Sequence, residues 1–375
     1  MEITPVTNGR DLDRFIAFPY DHYRADPLWV PQLRRDIQTL LSPSKNPFFQ
    51  HAEAQYWTAT RSDPKGLRGQ MVGRIGAIKN DMHNKEHNDR VGFYGFFESI
   101  NDQAVANALW DTAGAWLKQR GFDTMRGPMS PSINDECGLL IANNGTPPSL
   151  MMPYNFSYYE TLHERYGFTK AKDLLAYDGG GAQSAPERFL RIGRRALERN
   201  GITLRSLNMK RFDAEVELIK KLYNSAWEKN WGFVPLTNAE IDHLAKQLKP
   251  IVVPDLVIFA ERGSEVVGFA VSLPDFNLAL LHNRSGGMFP GILKVLWYAR
   301  KIHRARVMLL GVIPEFRGRA IDAVLYHRTW ENSVKHGMPS GEAGWILEDN
   351  ALMNKAATEL GFRVTKTYRV YDKPL

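Results

Sequence analysis

The chain has a single cysteine, Cys137, among 375 residues. One thiol excludes an internal disulfide framework and fits a reducing compartment such as the cytoplasm. Long apolar runs are missing too: no stretch approaches the roughly 20 uninterrupted apolar residues of a membrane span. The opening MEITPVTNGRDLDRF mixes polar, acidic and apolar residues and does not read as a secretory leader. Acidic residues are the minority charge, 41 Asp and Glu against 48 Lys and Arg, which leaves a formal net charge of +7. A basic balance suits nucleic acid, an anionic membrane face or a phosphate-bearing small molecule, and charge alone does not choose among them.

What is present is ordinary for a globular protein: 43% of residues are hydrophobic and 24% charged. The length suffices for two domains, each able to bury its own core. Nine Trp, 14 Tyr and 19 Phe suit large apolar pockets as well as cores.

An internal repeat organises the chain. Residues 167–178 read GFTKAKDLLAYD and residues 361–372 read GFRVTKTYRVYD, both fitting Gly-Phe-x3-Lys-x4-Tyr-Asp. Each copy follows a helix-like run, YYETLHERY (158–166) or NALMNKAATEL (350–360). Glycine ends helices well because it accepts the left-handed conformation, so the unit reads helix, glycine stop, strand. A weaker echo lies upstream, where QAVANALW (103–110) parallels RAIDAVLY (319–326) and the runs end at Gly121 and Gly337. Each follows an apolar strand-like run, VGFYGFF (91–97) or RVMLLGVI (306–313). Both halves thus read strand, helix, strand, helix, strand, and duplication is the natural explanation. The stretch GGGAQSAP (179–186) is the expected linker, giving halves at 1–178 and 187–375.

The second half carries the motif with chemistry, LLGVIPEFRGRAIDAVLY (309–326). A strand, a Pro-containing turn and Arg-Gly-Arg opening a helix can present backbone N–H groups and a positive helix end to a pyrophosphate. Arg317 and Arg319 can add charge-assisted contacts, and Gly318, Ala320 and Ile321 complete the turn. Asp322 is awkward there, since a carboxylate suits a first helical turn but repels phosphate if it faces the ligand. The corresponding first-half stretch, FFESINDQAVANAL (96–109), offers Glu98 and Asp102 instead of arginines and is expected not to bind a phosphate.

Three other constellations bear on chemistry. HNKEH (83–87) with Asp89 has metal-like spacing, but a zinc helix needs Glu directly after its first His, and Asn84 stands there. No metal site is expected; His83 is a candidate base on a solvated loop. RGPMSPSINDECG (126–138) reads as a polar loop ending in Asn134, Asp135 and Glu136, candidates for contact with an acceptor. Cys137 beside Glu136 is expected to be a buried structural thiol rather than a nucleophile. Finally, GGMFPGILKVLWYARKIHRAR (286–306) is a short apolar helix with a basic end, suited equally to packing on a sheet and to an anionic bilayer surface or an acyl chain.

The 309–326 motif resembles the acyl-CoA signature of the GCN5-related N-acetyltransferase (GNAT) superfamily, matching it at Arg317, Gly318 and Arg319. Residues 342–362 resemble the next element of that fold, except that Ala357 stands where many members place a tyrosine that protonates the departing thiolate. Taken whole, the chain resembles a proteobacterial family of tandem GNAT proteins that includes acyl-CoA-dependent ceramide synthases. FPY (18–20), DPLWVPQL (26–33), GRIGAIKN (73–80), HNKEHND (83–89), RGPMSPSINDECGLL (126–140), MMPYN (151–155) and the final VYDKPL carry the resemblance.

The resemblance implies an α/β tandem GNAT fold, two mixed sheets flanked by helices. It implies an acyl-CoA co-substrate, no permanently bound cofactor, and a lipid-amine acceptor such as a sphingoid base. Backbone N–H groups near Gly311 and Val312 would hold the oxyanion, with Glu136, Asp135 and His83, in that order, as base candidates and Asn134 beside them. Peripheral contact with an anionic inner-membrane face fits this picture, and no nucleic acid is expected. Two alternatives stand beside it. One is an aminoacyl-tRNA-dependent peptidyl transferase of tandem GNAT type, which usually has a long charged helical arm absent from this sequence. The other is a non-catalytic protein that binds lipid or acyl-CoA.

Overall fold

The computed structural model describes residues 1–61, 69–180, 187–227 and 230–375. Strands β1 (Glu2–Pro5), β2 (Ala52–Arg61), β3 (Gln70–Asn80), β4 (Val91–Ser99) and β5 (Thr124–Gly127) come first. Short strands β6 (Met129–Ser130), β7 (Glu136–Cys137) and β8 (Leu139–Asn143) precede the long β9 (Thr169–Gly180). The remainder are β10 (Ile202–Ser206), β11 (Val257–Arg262), β12 (Glu265–Pro274), β13 (Arg304–Val312), β14 (Ser340–Leu347) and β15 (Arg363–Pro374).

Two compact units interleave along the sequence. The first comprises Met1–Leu174, Asn277–Tyr298 and Thr367–Leu375; the second comprises Leu175–Phe276 and Ala299–Lys366. A division into 1–178 and 187–375 would give residues 277–298 and 367–375 to the second half, whereas both segments pack with the first unit. Of the expected linker, Gly179 and Gly180 end β9, and 181–186 lie outside the described residues. The two repeat strands, β9 and β15, are the ones that divide between units, at Leu174/Leu175 and Lys366/Thr367.

The repeat has the local structure its residues dictate. Helix Tyr158–Tyr166 stops at Gly167 (φ +91°), and helix Ala351–Glu359 stops ahead of Gly361 (φ +85°), before β9 and β15 respectively. Only glycine takes that backbone conformation at little cost.

In the first unit the sheet order is β1-β2-β3-β4-β5, then the end of β15. Neighbours are antiparallel except β4 and β5, so the sheet is mixed. Every residue of β4 is buried, as expected of a strand covered on both faces. Helix Gln103–Gln119 lays Val105, Leu109, Trp110, Ala113 and Leu117 on the sheet, in one cluster with Trp57, Ile75, Tyr94 and Phe97. That spacing is one face of a helix, and each large side chain so buried contributes about 1.5–3 kcal/mol.

In the second unit β10, β11, β12 and β13 are antiparallel neighbours and β14 runs parallel to β13. Helix Ile321–Lys335 buries Ile321 and Leu325 against Ile258, Val267 and Ala270, in a cluster that also holds Val312 and Phe316. This unit also encloses an ion pair: Lys366 Nζ lies 2.8 Å from Glu342 Oε2, both side chains being essentially inaccessible to solvent. The second carboxylate oxygen of Glu342 has no partner among the described residues. No helix among the described residues is long and apolar enough to cross a membrane.

Candidate functional site

In the second unit, β13 pairs with β14 only from Arg304 opposite Ser340 to Val307 opposite Ala343. Both strands continue, β13 to Val312 and β14 to Leu347, so they part company after Val307. On its other side β13 stays paired with β12 as far as Val312 opposite Gly268, through a register shift that leaves Met308 as the extra residue. Among the described residues, Leu309–Val312, with Gly311 and Val312 among them, therefore have a strand neighbour on one side only. An unpaired strand edge of this kind can accept an extended amide chain.

Beyond β13 the chain makes a single 3-10 turn, Pro314–Phe316, and then opens the helix Ile321–Lys335. Two residues between them are left-handed, Gly318 (φ +71°) and Ala320 (φ +59°). Ala320 occupies the N-cap, where Ser, Thr, Asp or Asn would usually satisfy a free amide, and it supplies no cap. The N–H groups of 318–323 have no acceptor among the described residues. Phe316, Ile321 and Leu325 are buried and hold both ends of the turn, while Arg317, Gly318 and Arg319 are exposed. Anchored ends with open amides between them make an anion cradle at the positive end of a helix dipole.

The arginines brace the cradle. Arg317 Nε donates to the Val312 carbonyl at 3.2 Å, and Arg319 donates to the Glu315 carbonyl at 3.0 Å while lying 4.8 Å over the Phe316 ring. Asp322 sits in the first helical turn, one turn before Tyr326. Burial raises the Tyr326 phenol, and the Asp322 charge raises it further.

The first unit has the same strand geometry with the opening filled. Here β4 pairs with β5 only from Val91 opposite Thr124 to Phe93 opposite Arg126, then runs on to Ser99. A register shift against β3 accompanies a left-handed Phe96 (φ +51°). The Phe96 N–H donates to Ser130 Oγ at 2.9 Å, and a Cβ on Gly95 would come within 1.7 Å of the Met129 carbonyl oxygen. Strand β6 thus occupies the gap. The helix that follows is closed as well: Asp102 caps it by accepting from the Ala104 and Val105 amides, and pairs with Arg61. Glu98 points inward, accepting from the Tyr23 hydroxyl at 2.6 Å and the Tyr159 hydroxyl at 2.7 Å, with Arg74 at 3.6 Å.

This buried network was not readable from sequence. His22 joins it, its Nε2 3.0 Å from the Tyr159 hydroxyl, and burial followed by the Arg74 charge lowers its pKa to about 4. The participants are up to 137 residues apart in the chain. The one hint was their polar or aromatic character next to the strings FPY and MMPYN.

The candidate bases all lie in the first unit, whereas Gly311, Val312 and 317–322 lie in the second. Asn134, Asp135 and Glu136 sit at the turn and second strand of a β6–β7 hairpin. There the Ser132 hydroxyl donates to Asp135 Oδ2 at 2.7 Å and accepts from the Asn134 N–H at 3.1 Å. Residues 81–87 form a helix capped by Asn80, not a solvated loop. His83 is buried in it against His87 and Phe93 with Asp89 at 3.4 Å. Burial, then the His87 and Arg126 charges, lower its pKa to about 3. Cys137 is buried, and burial pushes its thiol up to about 12. An inert thiol of this kind is structural. In the second unit, Ala357 packs against Tyr177 and Ile346, and the Tyr177 hydroxyl donates to Asn354 at 3.0 Å.

No family model matches the chain. Full-length relatives do. A protein named bacterial ceramide synthase from Caulobacter vibrioides is 36% identical over 383 aligned positions, covering 100% of this chain and 98% of that one. Protein YghO of Escherichia coli is 35% identical, covering 98% of this chain and 94% of its own length. Among solved structures, a tandem GNAT protein from the clavulanic acid pathway superposes with a TM-score of 0.57 at 12% identity, covering 100% and 98% of the two chains. The GNAT region of a fungal multi-domain β-N-acetylglucosaminidase gives 0.58 at 14% identity, covering 99% of this chain and 38% of that one. The α/β fold is therefore that of the tandem GNAT proteins, and the chain belongs to the family of the Caulobacter bacterial ceramide synthase and YghO.

Proposed function

We propose that the protein is an acyl-CoA-dependent N-acyltransferase that moves a long fatty acyl chain to the amine of a sphingoid base or similar lipid amine. The observation that carries this reading is the open cradle at 318–323 beside the parted end of β13. The name of the Caulobacter relative supports the acceptor class. Acyl-CoA is a co-substrate under this reading, no cofactor is retained, and contact with an anionic membrane brings the enzyme to its lipid acceptor.

The chemistry follows from the two features of the second unit. Amides 318–323, with Arg317 and Arg319, hold the diphosphate, and the unpaired edge of Leu309–Val312 takes the amide-bearing arm of acyl-CoA. A neutral amine attacks the thioester carbonyl. Backbone N–H groups near Gly311 and Val312 stabilise the tetrahedral oxyanion, whose collapse forms the amide and expels the thiolate. The amine's proton goes to a base or water chain, with Glu136 and Asp135 as candidates. Buried His83, with Asn134 beside the acidic pair, completes the candidate set. Ala357 leaves the thiolate without a tyrosine acid, which a thiol of pKa near 8.5 hardly needs.

The test is thiol release from a panel of acyl-CoAs with sphingoid bases, simple amines and amino acids as acceptors. Release that depends on a lipid amine, with a matching N-acyl product, is expected. Binding of acyl-CoA without turnover on any amine would favour a binding protein, and salt-sensitive binding of tRNA would favour peptidyl transfer.

A further inference from the structure

Large apolar side chains are exposed together in one short segment of the first unit. Phe289 is 80% exposed, and Leu293, Leu296 and Trp297 are 54%, 57% and 60% exposed; Met288 is exposed beside them. Leu293, Leu296 and Trp297 stand at i, i+3 and i+4 on the helix Gly291–Ala299, which is one face, while Gly291 and Val295 form its buried face.

The segment is firmly held. Arg284 donates to the carbonyls of Trp29 (2.7 Å), Asp26 (2.8 Å) and Tyr23 (3.1 Å). Arg34 donates to the Ser285 carbonyl at 2.9 Å, and Asn277 to the Pro148 carbonyl at 2.9 Å. These bonds fix the base of the segment in the unit and leave its apolar face outward. Such a face costs solubility unless something covers it.

Charge identifies what covers it. From residue 276 to residue 314 the chain has no Asp or Glu, yet it carries Arg284, Lys294, Arg300, Lys301, Arg304 and Arg306. Lys294, Arg300 and Lys301 are exposed, next to the apolar residues in sequence. A nine-residue helix is about 14 Å long and cannot span a bilayer. Short helices with aromatic and aliphatic residues on one face and cations beside them lie in the interface of anionic membranes.

The geometry points to residues 288–298 as a docking element for the surface of an anionic phospholipid bilayer. Phe289, Leu293, Leu296 and Trp297 enter the acyl boundary, and Lys294 meets the phosphate headgroups. This deepens the membrane contact of the proposed function but stands on the surface itself, and its test uses neither acyl-CoA nor acceptor.

The test is flotation of the full chain with vesicles of phosphatidylcholine alone and of phosphatidylcholine mixed equally with phosphatidylglycerol. Binding to the mixed vesicles and little binding to the neutral ones are expected. Phe289→Gln with Trp297→Gln lowers the mixed-vesicle partition coefficient at least about tenfold. Lys294→Gln lowers it about fivefold and leaves neutral vesicles unaffected. These side chains are exposed, so thermal melting is expected to be unchanged and loss of binding is separable from unfolding. Absence of wild-type binding, or binding indifferent both to the apolar pair and to Lys294→Gln, overturns the proposal. So does a concentration-dependent dimer without lipid that Phe289→Gln with Trp297→Gln abolishes, since the face would then close on a second copy.

Discussion

Replacing Arg317 and Arg319 together by alanine is expected to raise the KM for acyl-CoA about 30-fold or more and to leave kcat nearly unchanged. Each guanidinium can give the diphosphate a charge-assisted contact, worth at least about 1 kcal/mol even at an exposed position. Two such contacts together amount to the stated factor. The phosphates are remote from the thioester, so the lost interaction is equal in ground and transition states and falls on KM. Arg317 also ties its side chain to the Val312 carbonyl, next to the proposed oxyanion donors. Arg317→Lys keeps the charge but lacks the planar fork, and recovers only part of the loss. Initial rates across acyl-CoA concentrations check this, together with ionic strength: wild-type KM should climb with salt and that of the double variant should climb less. A change confined to kcat would place the arginines elsewhere in the reaction.

The second large effect concerns stability. Lys366→Met leaves Glu342 charged and unpartnered in an interior from which water is excluded, and is expected to destabilise the fold by about 3–5 kcal/mol. Glu342→Leu alone strands the lysine with a similar cost. Replacing both removes two buried charges at once, and this double variant is expected to lie far closer to wild type than either single one. Chemical denaturation of the four proteins measures the coupling. Single substitutions that are neutral, or a double variant as unstable as the sum of the singles, would mean the pair is not the isolated buried contact described here.

The repeat and much of the second unit were legible because their signals are local. The glycine stops at Gly167 and Gly361, the strand-turn-helix order of 309–326 and the arginines beside Gly318 each depend on residues a few positions apart. The closure of the first unit was half legible. Glu98 and Asp102 spoke against phosphate, but the filling of the gap depends on Ser130 meeting Phe96, 34 residues away, at a strand irregularity that no periodicity reveals. The candidate bases fared unevenly for a related reason. His83 looked like a loop residue because its neighbours are polar, yet Asn80 caps a helix there and the ring is buried. The interleaving of the units was not visible, since the residues of 277–298 and 367–375 carry no mark of the unit they join. The 286–306 segment left packing and surface readings balanced in sequence; its helix has a buried side at Gly291 and Val295 and an exposed one at Leu293, Leu296 and Trp297.

Under the proposed function the amides opening the helix at Ile321 receive a diphosphate, whereas the helix start at Gln103 is already capped by Asp102. Hydrogen–deuterium exchange with and without saturating coenzyme A measures both in one experiment. Coenzyme A should slow exchange across 309–323 and leave 102–106 as it was. Unchanged exchange at 309–323 while another stretch becomes protected would contradict it.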